Sequence, residues 1–178
     1  IITNDITDIK PANGNNLWIS TFHYGVDLFD TKNKCFTHYN NQTLPSLCSN
    51  KTWTIMDDGE GHLYIGHAGF GMSILSLANN TVKNYMNSPW KSNSIPGNDV
   101  RCIYKDTHGN IWIGTEKGLS IFDDKKEEFI VPSHLPQELR NSYVFDIYQT
   151  DDDKLWIGTE LNGIFIIDLK RDFLRPLE

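Results

Sequence analysis

The clearest hydrophobic pattern in the chain is a short run of aliphatic and aromatic residues that occurs four times. Its best copy is Ile111–Thr115 (IWIGT), and the aromatic position of the four copies holds Trp18, Tyr64, Trp112 and Trp156. These anchors are 46, 48 and 44 residues apart. A strand motif that returns every forty-odd residues is typical of β-propeller blades. Because a single blade cannot bury both of its faces, the repeat predicts that blades stack side by side.

The residues around each anchor predict four antiparallel strands per blade. An Ile nine positions before the anchor marks the first strand, and an Asn stands five or six positions before that Ile. A polar turn then leads into the anchor strand, and a Gly six or seven positions after the anchor precedes the third strand. Gly, Asn and Asp tolerate the left-handed backbone that such turns require. The isoleucines are Ile9, Ile55, Ile103 and Ile147, and the glycines are Gly25, Gly71, Gly118 and Gly163.

The fourth strands are expected to begin near Phe36, Val82, Phe129 and Phe173. The prediction is an all-β chain that forms a β-propeller segment of four four-stranded antiparallel blades, at approximately residues 1–46, 47–94, 95–138 and 139–178. The bulky anchors are expected to lie as wedges between neighbouring blades.

The third repeat, over residues 98–106, 109–115 and 118–123, resembles the two-component regulator propeller repeat. The other repeats are looser copies, with Tyr64 in place of Trp, His67 in place of Thr and Ser20 in place of Gly. The resemblance implies the periplasmic sensor region of a Bacteroides-type hybrid two-component histidine kinase, which typically senses glycan-derived oligosaccharides. It also implies that these blades are part of a larger propeller, because propellers of this family usually have more than four blades.

Composition narrows the function further. The formal net charge of −7 and the absence of a basic stripe argue against a nucleic-acid partner. No apolar run is long enough to span a bilayer, so direct membrane insertion of this segment is not expected. The chain begins in a strand-like run, without a signal peptide, which suggests a segment of a longer protein. Three irregularly spaced cysteines indicate no disulfide framework, and Cys35 and Cys102 are expected to be buried thiols within strands.

Candidate ligand-binding residues lie in the loops between second and third strands and in the loops that enter the first strands. Exposed aromatic side chains beside amides and charges suit sugar binding, because the ring gives a flat apolar surface and the polar groups bind hydroxyls. The first choices are His23, Tyr24, His67, Phe70 and Trp90, and the entering loops add Lys91, His134, Arg140 and Tyr143. Glu116 and Glu160 occupy near-equivalent loops and complete the set of ligand-binding candidates.

Metal, cofactor and catalytic roles are not predicted for this segment. The six histidines do not have the spacing of a zinc site. The acidic runs at 57–58 and 151–153 lack the ligand pattern of a calcium loop and are expected to be solvated turns. No nucleophile motif or phosphate-binding loop is present. The blade geometry is expected to hold Glu116 and Glu160 farther apart than a glycosidase requires.

The alternatives to a sensor region are a propeller enzyme of the polysaccharide lyase or hydrolase type and a protein-interaction scaffold. A partial ring would expose the apolar faces of its first and last blades. Self-association through those faces is therefore expected, with two chains forming one ring of eight blades. A closed ring of four blades is the alternative.

Overall fold

Four antiparallel sheets follow one another along the chain in the computed structural model, which describes residues 3–133 and 135–170. The first sheet contains β1 (Ile6–Pro11), β2 (Leu17–Thr21), β3 (Gly25–Asp30) and β4 (Cys35–Tyr39). The second contains β5 (Thr52–Asp57), β6 (His62–His67), β7 (Met72–Ser76) and β8 (Thr81–Tyr85). The third contains β9 (Val100–Lys105), β10 (Ile111–Thr115), β11 (Gly118–Asp123) and β12 (Glu128–Ile130). The fourth contains β13 (Val144–Gln149), β14 (Lys154–Thr159) and β15 (Ile164–Asp168), and its fourth strand, predicted near Phe173, falls outside the described residues.

Within each sheet the spatial order of the strands follows the chain. The first strands pack against one another in succession, β1 on β5, β5 on β9 and β9 on β13, so they are the innermost strands around a common axis. The connections contain a 3-10 turn at Asn13–Asn15 and one turn of helix, α1 (Gln137–Arg140). This radial arrangement of antiparallel sheets confirms the predicted all-β propeller segment, and each sheet is called a blade below.

The hydrophobic cores lie between blades. Trp18 packs with the second blade, Tyr64 with the third and Trp112 with the fourth, and all three side chains are buried. The predicted wedge is therefore confirmed for these three anchors. Trp156 is different, because it is 40% exposed on the face of the fourth blade that no other described blade covers.

The glycine of the IWIGT motif allows the next blade to approach closely. A Cβ atom at Gly66 would lie 2.7 Å from the carbonyl oxygen of Val100, and one at Gly114 would lie 2.7 Å from Cγ1 of Val144. Both contacts are shorter than van der Waals packing allows, so a side chain here would push the blades apart.

The glycine before each third strand connects neighbouring blades through the backbone. The N–H groups of Gly25 and Gly71 donate to the carbonyl oxygens of Asn50 and Asn98, over 2.9 and 2.7 Å, and Gly118 bonds Ser142 in the same way. Each of these glycines has a positive φ. A Cβ atom at Gly71 would lie only 2.0 Å from a carbonyl oxygen, so no other residue fits. The repeated Gly of one blade thus contacts the repeated Asn of the next at the first two blade junctions, and Ser142, the residue after Asn141, takes that place at the third.

Two expectations about polar side chains are wrong. Cys102 is buried as expected, but Cys35 is exposed, because it begins the outermost strand of its blade. Asp58 is not a solvated turn residue, since its buried carboxylate accepts hydrogen bonds from the backbone N–H groups of Glu60 and His62 and pairs with the His62 ring. These bonds stabilise the hairpin turn that contains Asp58.

The outer faces of the first and last blades are apolar and exposed. Ile9 is 52% exposed on the first blade, whereas its equivalents in the other three blades are buried. On the fourth blade, Tyr148, Trp156 and Ile166 form a cross-strand row and are all exposed. Because these faces do not bury each other, the four described blades do not close a ring by themselves.

Candidate functional site

Each innermost strand carries one extra residue opposite its partner strand. The register shifts between Ile6 and Asp8, Thr52 and Thr54, Val100 and Cys102, and Val144 and Asp146. The extra residues are Thr7, Trp53, Arg101 and Phe145. A β-bulge leaves its residue unpaired and turns its side chain out of the regular ladder, and such bulges often lie beside functional sites.

The bulges lie at the end of the blades where the innermost strands begin and the loops between second and third strands lie, which is called the upper face here. Side chains from four blades meet there. Trp53, Arg101 and Phe145 are joined by Phe22 from the first blade and by Asp99 and Tyr143 from the loops that enter β9 and β13. These six residues are called the axial cluster.

Aromatic rings hold the arginine of the axial cluster. The Arg101 guanidinium carbon lies 3.7 Å from the centroid of the Trp53 ring and 5.1 Å from that of Phe145. Phe22 packs on Trp53, with the two ring centroids 4.6 Å apart. Tyr143 stacks on Phe145 at a centroid distance of 4.9 Å. Contacts of this kind hold the guanidinium in one orientation.

A directional chain of hydrogen bonds orients the same groups. Trp53 donates from Nε1 to Oδ1 of Asp99 over 2.7 Å, and the Tyr143 hydroxyl donates to Oδ2 over 2.5 Å. The Arg101 Nε–H donates to the Tyr143 hydroxyl oxygen over 3.2 Å. Burial, together with the bond to Asp99, raises the pKa of Tyr143 to about 12, so this hydroxyl keeps its proton at neutral pH.

Glu116 holds the loop that leads into β9 and carries Asp99 of the axial cluster. Its carboxylate accepts hydrogen bonds from the backbone N–H groups of Asn98 and Asp99, over 3.1 and 2.9 Å. These bonds fix the loop that carries Asp99, and the role of Glu116 in ligand binding stays a prediction. Glu160, the other acidic candidate, is exposed, and its backbone N–H bonds the carbonyl oxygen of Tyr143.

The prediction that His67 is an exposed loop residue is wrong. His67 ends β6 and is fully buried, and its Nε2 lies 2.8 Å from the Ser73 hydroxyl. Burial lowers the pKa of His67 to about 4, so the ring is neutral at pH 7. His67 occupies the position that Thr21 and Thr115 hold in their repeats. The hydroxyls of these threonines donate to the carbonyl oxygen of the glycine that begins the third strand, so the side chain at this position points into the blade.

The other candidates are dispersed over the surface. His23 adjoins the axial cluster, with its ring 4.9 Å from that of Phe22 and its Nδ1 2.8 Å from the Asp5 carboxylate. Tyr24 and Phe70 are partly exposed in their loops, and Trp90 is 94% exposed between β8 and β9. Roles in ligand binding for these four residues stay predictions. Of the entering-loop candidates, Lys91 is exposed, Arg140 bonds the carbonyl oxygen of Leu135, and His134 lies outside the described residues.

A cleft of about 260 Å³ opens elsewhere, between the second and third blades. Tyr64, Tyr85 and Phe122 line it, and Lys83 forms an ion pair with Glu127 at its edge. Tyr64 and Phe122 belong to the core between these blades, so the cleft is a gap in blade packing, and it contains none of the predicted ligand-binding residues.

The chemistry of the axial cluster suits binding. It offers flat aromatic surfaces, a fixed cation and polar groups whose orientation is already set, which are the elements of a preformed ligand site. Among residues 3–133 and 135–170, no group of three or more His, Cys, Asp or Glu side chains could hold a metal ion. Tyr143 of the axial cluster was predicted from the sequence, whereas Phe22 and Asp99 and the bulge residues Trp53, Arg101 and Phe145 were not. The bulge residues have a signal in the sequence. Their signal is the position two residues before each first-strand Ile, which holds a different residue in every repeat.

Comparison with family models matches the two-component regulator propeller at residues 94–117 and 138–161, which confirms the predicted resemblance. Comparison with curated protein sequences gives no match. No helix in the described part of the chain is both long enough and apolar enough to cross a membrane.

Solved structures include several of the same fold. The extracellular domain of a hybrid two-component system from B. thetaiotaomicron is 48% identical, with a TM-score of 0.82 over 96% of this chain and 21% of that one. A second such domain from B. thetaiotaomicron is 22% identical, with a TM-score of 0.75 over 97% of this chain and 24% of that one. The WD40 β-propeller domain of Doa1 is 13% identical, with a TM-score of 0.67 over 90% of this chain and 50% of that one. The chain thus spans about a fifth of the length of the first relative.

Proposed function

The chain carries two-component regulator propeller repeats, and from this premise we propose that it forms part of the extracytoplasmic sensor region of a hybrid two-component regulator. The observation that carries the proposal is the 48% identity, over 96% of this chain, to the extracellular domain of such a system. The segment then lies in the periplasm, outside the inner membrane, and the kinase activity belongs to other parts of the protein.

The proposed ligand is a glycan-derived oligosaccharide that binds at the upper face on the axial cluster. The support is chemical, because Phe22, Trp53 and Phe145 supply aromatic surface for sugar rings, and Arg101 supplies hydrogen-bond donors of fixed orientation for polar groups of the ligand. Exposed His23 and Tyr24 stand in the adjoining loop and extend the surface that a longer oligosaccharide would contact.

Signal transmission follows from the position of the axial cluster between blades. Phe22, Trp53, Arg101 and Phe145 come from four successive blades. A ligand that contacts several of them gains different binding energy when the blades shift, so its binding favours one relative position of the blades. The proposed role of the segment is therefore binding and transmission, without catalysis.

Isothermal titration calorimetry of the intact extracellular region against a panel of oligosaccharides tests this function. The Trp53→Ala variant is expected to lose binding, because it removes the ring on which both Phe22 and Arg101 pack. The Leu44→Ala variant removes a large apolar side chain from the exposed loop between β4 and β5 and is expected to bind normally. Absence of heat with every glycan would refute the proposal.

A further inference from the structure

Arg101 has hydrogen-bond donors that the rest of the described chain does not use. A guanidinium carries five N–H donors. In residues 3–133 and 135–170 its one hydrogen bond runs from Nε to Tyr143, and no carboxylate oxygen lies within 4.0 Å of it. The two terminal nitrogens therefore remain available on a half-buried cation.

The carboxylates near Arg101 already have other partners. Both oxygens of Asp99 accept hydrogen bonds, one from Trp53 and the other from Tyr143. The Glu116 carboxylate binds two backbone N–H groups of its own blade. Because these anions are satisfied elsewhere, the charge of Arg101 is not neutralised by a direct ion pair.

The guanidinium is also held in one orientation. One face stacks on Trp53 at 3.7 Å, and the Nε edge is bonded to Tyr143. The remaining edge carries the two terminal nitrogens in the planar fork that matches a carboxylate with two parallel hydrogen bonds. A second cation lies near the axial cluster, because the Lys51 Nζ is 5.9 Å from the centroid of the Phe22 ring.

We propose that Arg101 binds the carboxylate of an acidic sugar, so that the ligand of the axial cluster is an oligosaccharide containing uronic acid. The inference rests on the proposed function, since it names the ligand class of that site. Trp53 and Phe145 contact the sugar rings, Arg101 binds one carboxylate in a bidentate pair, and Lys51 attracts the charge of a neighbouring residue of the oligosaccharide.

The test uses acidic oligosaccharides and neutral forms of the same molecules. The intact extracellular region is titrated with trigalacturonic acid, trimannuronic acid and a hyaluronan tetrasaccharide, each beside its methyl ester, and with neutral galactose, mannose and xylose trisaccharides. At least one acid is expected to bind, and its ester to bind about 10- to 100-fold more weakly, the range for loss of hydrogen bonds to a charged group. Higher salt is expected to weaken binding of the acid more than that of the ester.

Variants assign the effect to the guanidinium. Arg101→Gln is expected to weaken binding of the acid by the same factor and to leave binding of the ester unchanged. Lys117→Gln removes an equal charge from an exposed position on the same face and is expected to bind the acid normally. Thermal melting of each variant checks that the fold is kept.

The outcomes separate this inference from the proposed function. Binding of neutral trisaccharides alone would overturn the acidic assignment and leave the sensor function standing. Equal loss of acid and ester binding in Arg101→Gln would also overturn it, since the guanidinium would then act by packing. No binding of any glycan would refute both proposals.

Discussion

The Tyr143 hydroxyl of the fourth blade donates a hydrogen bond of 2.5 Å to the Asp99 carboxylate of the third blade. The same hydroxyl accepts from Arg101, so one oxygen joins the anion and the cation of the axial cluster. The proposed binding surface is thus assembled only when neighbouring blades are correctly packed. In the proposed function, blade packing and ligand binding therefore depend on the same atoms.

Replacing Tyr143 by Phe is expected to lower the free energy of unfolding by about 1 kcal/mol, because it leaves Asp99 and Arg101 each without one partner at a partly exposed site. Urea denaturation at pH 7 measures the change. Tyr24→Phe is the control, since Tyr24 is 45% exposed in the loop between β2 and β3. An equal loss in both variants would contradict the role assigned to Tyr143.

The buried His67 is expected to make stability depend on pH. Its pKa is lowered to about 4 in the folded state, against about 6.5 when unfolded, so between these values the unfolded chain binds the proton and the folded chain does not. Stability is therefore full above pH 6.5 and falls as the pH drops towards 4, by about 3 kcal/mol over the whole window.

His67→Thr introduces the residue that the motif has in three other blades and is expected to remove this pH dependence. Urea denaturation of both proteins at pH 7 and at pH 4.5 gives the comparison. His108→Gln is the control, because His108 is exposed in the turn between β9 and β10. A wild-type slope that persists in His67→Thr would refute the assignment.

Glu116→Gln is expected to cost about 1 kcal/mol of stability and to weaken ligand binding, because an amide cannot accept from both N–H groups of the Asn98–Asp99 backbone with equal strength. Glu160→Gln serves as the matched change in the equivalent loop and is expected to have no effect on stability, since Glu160 is exposed. If binding fell only in Glu160→Gln, direct ligand contact by Glu160 would be the better account.

We propose that the isolated 178-residue chain self-associates head to tail. The exposed row Tyr148, Trp156 and Ile166 occupies the positions that Tyr104, Trp112 and Ile121 use to pack on the next blade, and the exposed Ile9 is equivalent to the isoleucines that receive such rows. The fourth blade of one copy therefore fits the first blade of another.

Sedimentation at micromolar concentrations is expected to give a dimer, in which two chains form one ring of eight blades. Ile166→Glu is expected to shift the equilibrium towards monomer, because it places a charge in the apolar contact. Leu44→Glu makes the same change in an exposed loop and is expected to leave the dimer intact. A stable wild-type monomer would rule the association out.

The repeat in the amino-acid sequence was sufficient to predict the blade architecture. Trp112 and its copies report packing between blades because a large residue at a fixed place in every repeat has the same neighbour each time. Gly71 and Asn98 were visible as repeated positions for the same reason, since each blade makes the same backbone contact with the next. Repetition within one chain therefore reveals the contacts that repeat.

The residues of the site could be identified only from the packed blades, because a site depends on positions where the blades differ. Arg101 and Trp53 meet through bulges on two innermost strands, and no local pattern states that residues 48 positions apart stack face to face. His67 was predicted to be an exposed loop residue and is buried, and the sequence did not reveal that the Glu116 carboxylate accepts from backbone N–H groups of its own blade. Burial and partners at such positions are set by the neighbouring blade, whose side chains differ at each interface.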